Sequence, residues 1–145
     1  MKLSTRSRYG VRMMVDLACH FKDKPVFLKD IAARENISEK YLSLIVIPLR
    51  SAGLIRSIRG ARGGYILARS PEAISLRDIV EAVDGETCLV HCVKKPDICN
   101  RASTCTTRDL WVFLGDKINE TLESVTLAQL AKKKAIKKGA SNERR

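Results

Sequence analysis

ISEKYLSLIVIPLRSAGLIRSIRGARGGYILAR, residues 37–69, is the stretch on which the fold turns. Ser38 stands just ahead of an apolar-periodic run, where a hydroxyl accepts an orphan backbone N–H and starts a helix. The helix so started runs from Glu39 to about Ala52, and Gly53 is a good stop. Pro48 lies inside it and offers no N–H to the carbonyl of Leu44, so a kink or a change of helix geometry is expected there. Beyond the stop, Leu54-Ile55 with Ile58, then Tyr65-Ile66-Leu67, are two β-prone runs. Gly60, Gly63 and Gly64 supply the turn between them. The pattern predicts a hairpin with Arg59 and Arg62 at its tip and Arg56 close by.

Upstream, Val11, Met14, Val15, Ala18 and Phe21 recur at helical spacing and predict a helix over Thr5–Phe21. Cys19 falls in that helix and reads as a small core residue, and His20 as a solvated or capped one. Lys24-Pro25 breaks the chain. A short helix follows from about Leu28 to Glu35, with Ile31 and Ala32 as its apolar face and Asn36 as its stop. Helix, short helix, helix, hairpin is the order of a winged helix-turn-helix.

Downstream, Ser75 opens a helix over SLRDIVEAVDG that Gly85 ends. About twenty residues without periodicity come next, a length uncommon for a loop that has no function. From Thr107 a long helix resumes, with Leu110, Leu114, Ile118, Leu122 and Val125 near i+4 spacing and Trp111 and Phe113 beside them. That apolar stripe is broad for a lone surface helix, and its simplest use is a dimer seam. Thr126 and Gln129 form a capping box that starts one more short helix.

The expected fold is mainly α with a small β-hairpin wing: a winged helix-turn-helix plus a long dimerisation helix. Residues 1–70 form the DNA-binding unit. Residues 71–131 form a helical dimerisation region that contains the loop 86–106, and residues 132–145 form a basic tail expected to be disordered.

The chain has 145 residues, 45% of them apolar, enough for the core of one domain. Its net charge of +11 is unevenly spread. Residues 1–65 carry +8, residues 66–131 carry −3, and residues 132–145 carry +6. A binding half joined to a non-binding half fits that division, with a polyanion as the partner. Aromatic residues are 5% of the chain, few for a protein that stacks single-stranded bases. There is no nucleophile elbow, no phosphate loop and little histidine, so no enzyme is expected. MKLSTRSRYG has no apolar run behind its charges, and no stretch is long enough to span a bilayer, so the expected location is cytoplasmic.

On a winged helix-turn-helix, Glu39–Ile45 would enter the major groove. Ser38, Glu39, Lys40, Tyr41 and Ser43 are the groups there able to reach base edges or phosphates. Leu42, Ile45 and Leu49 should face the core. Arg56, Arg59, Gly60 and Arg62 would bring the wing to the minor groove. Lys2, Arg6, Arg8 and Arg12 would flank the duplex and meet phosphate. A dimer would match a pseudo-palindromic double-stranded operator.

The loop CLVHCVKKPDICNRASTC, residues 88–105, holds four of the five cysteines. Thiols stay reduced in the cytosol, so the cluster suggests metal or redox chemistry rather than disulfides. Structural zinc favours two close C-x2-4-C pairs, and only Cys88 and Cys92 are so spaced. Thiolates strung along a loop suit the larger iron–sulfur clusters. Redox thiols without metal are the remaining alternative. Lys94, Lys95 and Arg101 could lower thiol pKa values.

MKLSTRSRYGVRMMVDLA, the stretch 37–69, SLRDIVEAVDG and three spaced cysteines followed by LW resemble the Rrf-two family of bacterial winged-helix transcription regulators, which has IscR-like and NsrR-like iron–sulfur members. The resemblance covers roughly residues 1–130. It implies a dimeric regulator with an iron–sulfur cluster, 2Fe–2S more readily than 4Fe–4S, held by Cys92, Cys99 and Cys105. Departures stand beside it. IscR-like members have a histidine where this chain has Arg108, and others borrow an acidic residue from a region that here reads Arg6, Arg8, Tyr9. Cys88 and His91 are local candidates for a fourth ligand. An acidic residue of the IscR type is replaced by Ser43.

The function expected is a homodimeric DNA-binding regulator, repressor or activator, controlled by an iron–sulfur cluster that senses redox state or nitric oxide. The alternatives are a cluster-free regulator governed by thiol oxidation or a protein partner, and a zinc-stabilised structural protein. No small-molecule substrate and no membrane partner is expected.

Overall fold

The computed structural model describes residues 2–22 and 24–142. Helix α1 spans Thr5–Cys19, α2 Leu28–Glu35 and α3 Glu39–Ser51. Strands β1, Ile55–Ile58, and β2, Gly64–Leu67, pair antiparallel with Ile55 opposite Leu67 and Ile58 opposite Gly64. Then come α4, Leu76–Asp84; a single turn α5, His91–Lys94; α6, Thr106–Ser124; and α7, Leu127–Asn142. Short 3-10 turns lie at Pro71–Ala73 and Pro96–Ile98.

The expected starts and stops are largely where chemistry puts them. Ser38 Oγ accepts the Tyr41 N–H at 3.0 Å, and Asn36 closes α2 in the left-handed conformation. Ser75 and Asp78 cap α4 reciprocally, and Thr126 and Gln129 do the same for α7. Gly64 has φ +134, and a Cβ there would sit 2.5 Å from the Val26 carbonyl oxygen. Val26 pairs with Tyr65 by two backbone hydrogen bonds, so glycine lets the sheet take up this extra residue.

The core is built from Met13, Met14 and Leu17 of α1, Ile31 of α2, and Leu42, Ile45 and Leu49 of α3. Ile55 and Leu67 close it from the wing, Ile79 and Val83 from α4, and Leu127 from α7. Gly10 lets α1 approach α4, since a Cβ there would lie 3.3 Å from a Val83 methyl. Ser4 and Ser7 donate to the two oxygens of Asp84 at 2.7 and 2.5 Å, which pins the start of α1 to the end of α4.

Helix α3 runs through Pro48 to Ser51, close to its expected bounds. Three expectations are corrected. Helix α1 ends at Cys19 rather than Phe21, and Phe21 and Cys19 are both exposed; Met13 and Leu17 take the core places instead. The loop 86–106 is not without structure, because α5 and a 3-10 turn lie in it. The chain from Lys132 to Asn142 is helical rather than disordered, and residues 143–145 lie outside the described residues.

The reason for the last correction is a buried charge. Asp16 is 1% exposed. Arg34 of α2 grips both its oxygens at 3.0 and 2.7 Å, and Lys134 of α7 reaches it at 3.4 Å. Lys134 also pairs with Glu35, whose carboxylate Arg12 meets at 3.3 Å. An isolated carboxylate could not be buried so deeply. Leu127 and Leu130 add apolar contact, and α7 is thereby folded back along α1.

Burial on its own would raise the Asp16 carboxyl; the hydrogen bonds and charge of Arg34, with Lys134 and His20 adding to them, outweigh it and hold the pKa below the ordinary carboxylate value. A carboxylate with a lowered folded pKa contributes stability that is full above about pH 4 and is lost as pH falls through the folded value. Asp16→Asn should therefore lower stability at pH 7 by roughly 1–3 kcal/mol. Its melting temperature should also fall less steeply than that of the wild type between pH 5 and 3. Parallel curves of melting temperature against pH would sink the assignment.

Candidate nucleic-acid interface and thiol loop

The outer side of α3 carries Glu39, Lys40 and Ser43, all exposed, while Leu42, Ile45 and Leu49 are fully buried as expected. Two of the polar groups are partly committed within the helix. The Ser38 oxygen caps the first turn, and the Ser43 hydroxyl donates to the Lys40 carbonyl at 2.6 Å. Tyr41 is half-buried, its ring edge-on to Tyr9 at 5.5 Å. Leu44 and Ile47 are 54% and 61% exposed on this helix. The sequence conceals them, because LSLIVIPL reads as one apolar run with no face distinguished.

Arg56, Arg59, Gly60 and Arg62 are all exposed on the hairpin. Gly60 has φ +105 at the tip, a conformation that L side chains rarely adopt. No ion pair among the described residues occupies the wing arginines. The flanking set divides differently. Arg6 and Arg8 are exposed, with Arg8 donating to the Thr5 hydroxyl. Arg12, expected on phosphate, is held by Glu35 and lies over the Tyr9 ring at 5.4 Å. Lys2 lines a groove of about 620 Å³ with Cys88, Ile118 and Leu122.

The proposed seam helix is split along its length. Leu110, Phe113 and Leu114 of α6 are 48%, 56% and 37% exposed, with Trp111 beside them. Ile118, Leu122 and Val125 are half-buried, and α6 leans on α4. Arg77 of α4 bonds Glu123 at 3.1 Å, and the Leu76 N–H donates to the Val125 carbonyl at 2.8 Å.

Between α4 and α6, Cys88, Cys92, Cys99 and Cys105 are half-buried free thiols. Among the described residues no three His, Cys, Asp or Glu side chains converge on one ion-sized point. The four cysteines nonetheless offer soft sulfur donors, the kind that suits iron–sulfur or zinc centres. Cys88 donates to the Val90 carbonyl at 2.9 Å, and His91 opens α5. Arg108 donates to the carbonyls of Cys92 and Val93, both at 3.3 Å, and so ties α5 to the first turn of α6. This contact is not legible from spacing.

The Thr107 hydroxyl, 3.2 Å away, and then the Arg108 backbone N–H hold the Cys105 thiol below its ordinary pKa; Arg101 adds the least. Lys94 is instead paired with Glu86 at 2.5 Å. Partial burial beside α7 raises the Cys19 thiol above its ordinary pKa, although the residue is exposed.

No helix is long and apolar enough to cross a membrane among the described residues. The model of the Rrf2 family, described as an iron-dependent transcriptional regulator, matches residues 3–133. Protein rrf2 of Nitratidesulfovibrio vulgaris is 44% identical over 130 residues, 90% of this chain and 87% of that protein. Two solved structures are similar in fold and sequence. CymR (YrzC), described as the global cysteine regulator of B. subtilis, has a TM-score of 0.77 at 41% identity, covering 91% of this chain and 97% of that one. IscR of T. potens has a TM-score of 0.75 at 41% identity, covering 92% and 88%. The family expected from the sequence is confirmed, and with it the winged-helix fold. The chain belongs to the Rrf2 family and is a DNA-binding transcription regulator, not an enzyme.

Proposed function

We propose that the chain acts as a cytoplasmic homodimer whose grip on a pseudo-palindromic operator is set by chemistry at the loop 88–105. The observation that carries this is the position of the thiols: Arg108 fastens their loop to the start of the helix that bears the exposed Leu110, Phe113 and Leu114. A change in the loop is thus delivered to the first turn of α6. The apolar residues there, with Ile118, Leu122 and Val125 further along, would form the seam with a second copy. A shift at such a seam changes the spacing of the two reading heads. A coupling of about 1–3 kcal/mol would alter DNA affinity roughly 5–150-fold.

At the DNA, Glu39, Lys40 and Ser43 would face the major groove with Leu44 and Ile47, whose apolar surfaces suit thymine methyl groups. Ser38 and Tyr41 would hold the helix start in place. Arg56, Arg59 and Arg62 would carry the wing into the minor groove around Gly60, with Lys2, Arg6 and Arg8 nearby.

Cys92, Cys99 and Cys105 would hold an iron–sulfur cluster, with Cys88 or His91 completing the set. Cys88 would first have to leave the Val90 carbonyl. Bound there, the cluster would supply a centre sensitive to electron transfer, oxidation and nitric oxide. Arg108 would support the loop rather than ligate, since guanidinium has no lone pair to give at neutral pH.

A second reading is a cluster-free thiol switch. The lowered Cys105 thiol favours it, as does the likeness to a cysteine regulator at 41% identity. Anaerobic purification with iron and sulfide assays separates the two. The cluster reading expects both elements in the wild type and neither after joint replacement of Cys92, Cys99 and Cys105 by Ala. Colourless protein that cannot be reconstituted, with DNA binding that responds to peroxide, would establish the thiol switch instead. Zinc at one per chain without sequence-specific DNA binding would overturn both.

Arg59→Ala should weaken operator binding at least several-fold and lower the salt dependence by about one phosphate equivalent. Unchanged affinity at physiological salt would remove the wing from the interface.

A further inference from the structure

The sequence carries two basic blocks, +8 in residues 1–65 and +6 in residues 132–145, separated by an acidic middle. The fold brings most of the second against the first. Helix α7 runs antiparallel to α1: Ala131 lies by Cys19, Lys134 reaches Asp16, and Lys137 and Lys138 stand by Arg12. Between the two helices is a groove of about 460 Å³ with Val11, Val15 and Leu130 as its apolar floor. Its rim carries Arg12, Lys133, Lys134, Lys137 and Lys138 against the single carboxylate of Glu35.

These cations have different duties. Lys134 is half-buried and spends its charge on Asp16 and Glu35, and Arg12 is held by Glu35. Lys133, Lys137 and Lys138 are exposed, and no ion pair among the described residues involves them. The carboxylates nearest to hand are already taken. Three uncompensated positive charges therefore remain on one edge of α7.

The groove that this edge lines is linked to the reading helix. Arg12, on the groove rim, lies over the Tyr9 ring at 5.4 Å. Tyr9 meets Tyr41 edge-on at 5.5 Å, and Tyr41 is in the first turn of α3. Two side-chain contacts thus join Arg12, which lines the same groove as the lysines, to the first turn of α3.

We propose that Lys133, Lys137 and Lys138 of α7 form a second phosphate-binding edge, which contacts the duplex backbone beside the base pairs read by α3. The occupant is the DNA backbone because the groove that the edge lines is linked through Arg12, Tyr9 and Tyr41 to the first turn of the reading helix, and because the edge's cations outside ion pairs are all lysines. Lysines in this role add affinity and salt dependence but no sequence preference. The inference rests on the DNA-binding role described above.

The test uses the full chain and a 40-base-pair duplex that the wild type selects from a random-sequence pool. Affinity is measured across about 50–200 mM salt for the wild type, for Lys133→Gln/Lys137→Gln/Lys138→Gln, and for the corresponding triple Arg variant. Lys134 is left in place so that α7 stays docked, which thermal unfolding verifies. The Gln variant should lose about 0.9 from the slope of log affinity against log salt for each phosphate contact removed. Its preference for the selected duplex over a scrambled one should stay as in the wild type, and the Arg variant should recover the slope. A Gln variant with the wild-type slope would overturn the proposal, as it would if these lysines met an acidic protein instead. So would an Arg variant that fails to recover. If the wild type selects no sequence and binds no duplex, the DNA-binding role fails, and this inference with it.

Discussion

Asp16 is a charge placed where no charge could stay alone. Nearly all of its surface is removed from water, and the price is met by a guanidinium from α2 and an ammonium from α7. One side chain of α1 thereby fixes two other helices. The orientation of α2 sets the short turn to α3, and so the angle at which α3 leaves the body. The docking of α7 determines which residues of α1 remain open. Apolar packing would tolerate slippage between such helices, whereas a two-pronged guanidinium–carboxylate contact does not.

The remainder of the molecule is less self-sufficient. Helix α6 has no buried residue, and its large apolar side chains stand in water at the end that receives the thiol loop. The loop is held by Arg108 contacts to backbone carbonyls, by Cys88 on Val90, and by a surface pair between Lys94 and Glu86. Each is weak, and none involves the core. The molecule therefore joins a packed reading half to a segment of lower local stability.

Much of this could be read from the sequence because helix ends and hairpin turns are local matters. Ser38, Asn36, Ser75 and Gly85 act within three or four residues of themselves, so their roles survive into the fold unchanged. The failures share the opposite character. Cys19 is exposed because α1 turns Met13 and Leu17 inward, a choice of face that several apolar residues in one run left open. Arg12 and Arg34 look like surface charge until two carboxylates from different helices claim them. The lysine-rich end reads as solvated tail because the acid that orders it is more than a hundred residues away. The cysteines were visible as a group, but their attachment to α6 runs through backbone carbonyls of Cys92 and Val93, which no side-chain pattern reports.

The segment after α4 returns to where it began. Leu76 N–H meets the Val125 carbonyl and Leu127 N–H meets the Ile74 carbonyl, both at 2.8 Å, so the end of α6 is clamped to the start of α4. Everything from Gly85 to Ser124 is an excursion with both feet on the same spot. Residues can be gained, lost or exchanged within it without shifting the chain on either side. Such an arrangement makes the segment between the two clamps a cassette, whose length and sequence can change while the winged helix keeps its shape.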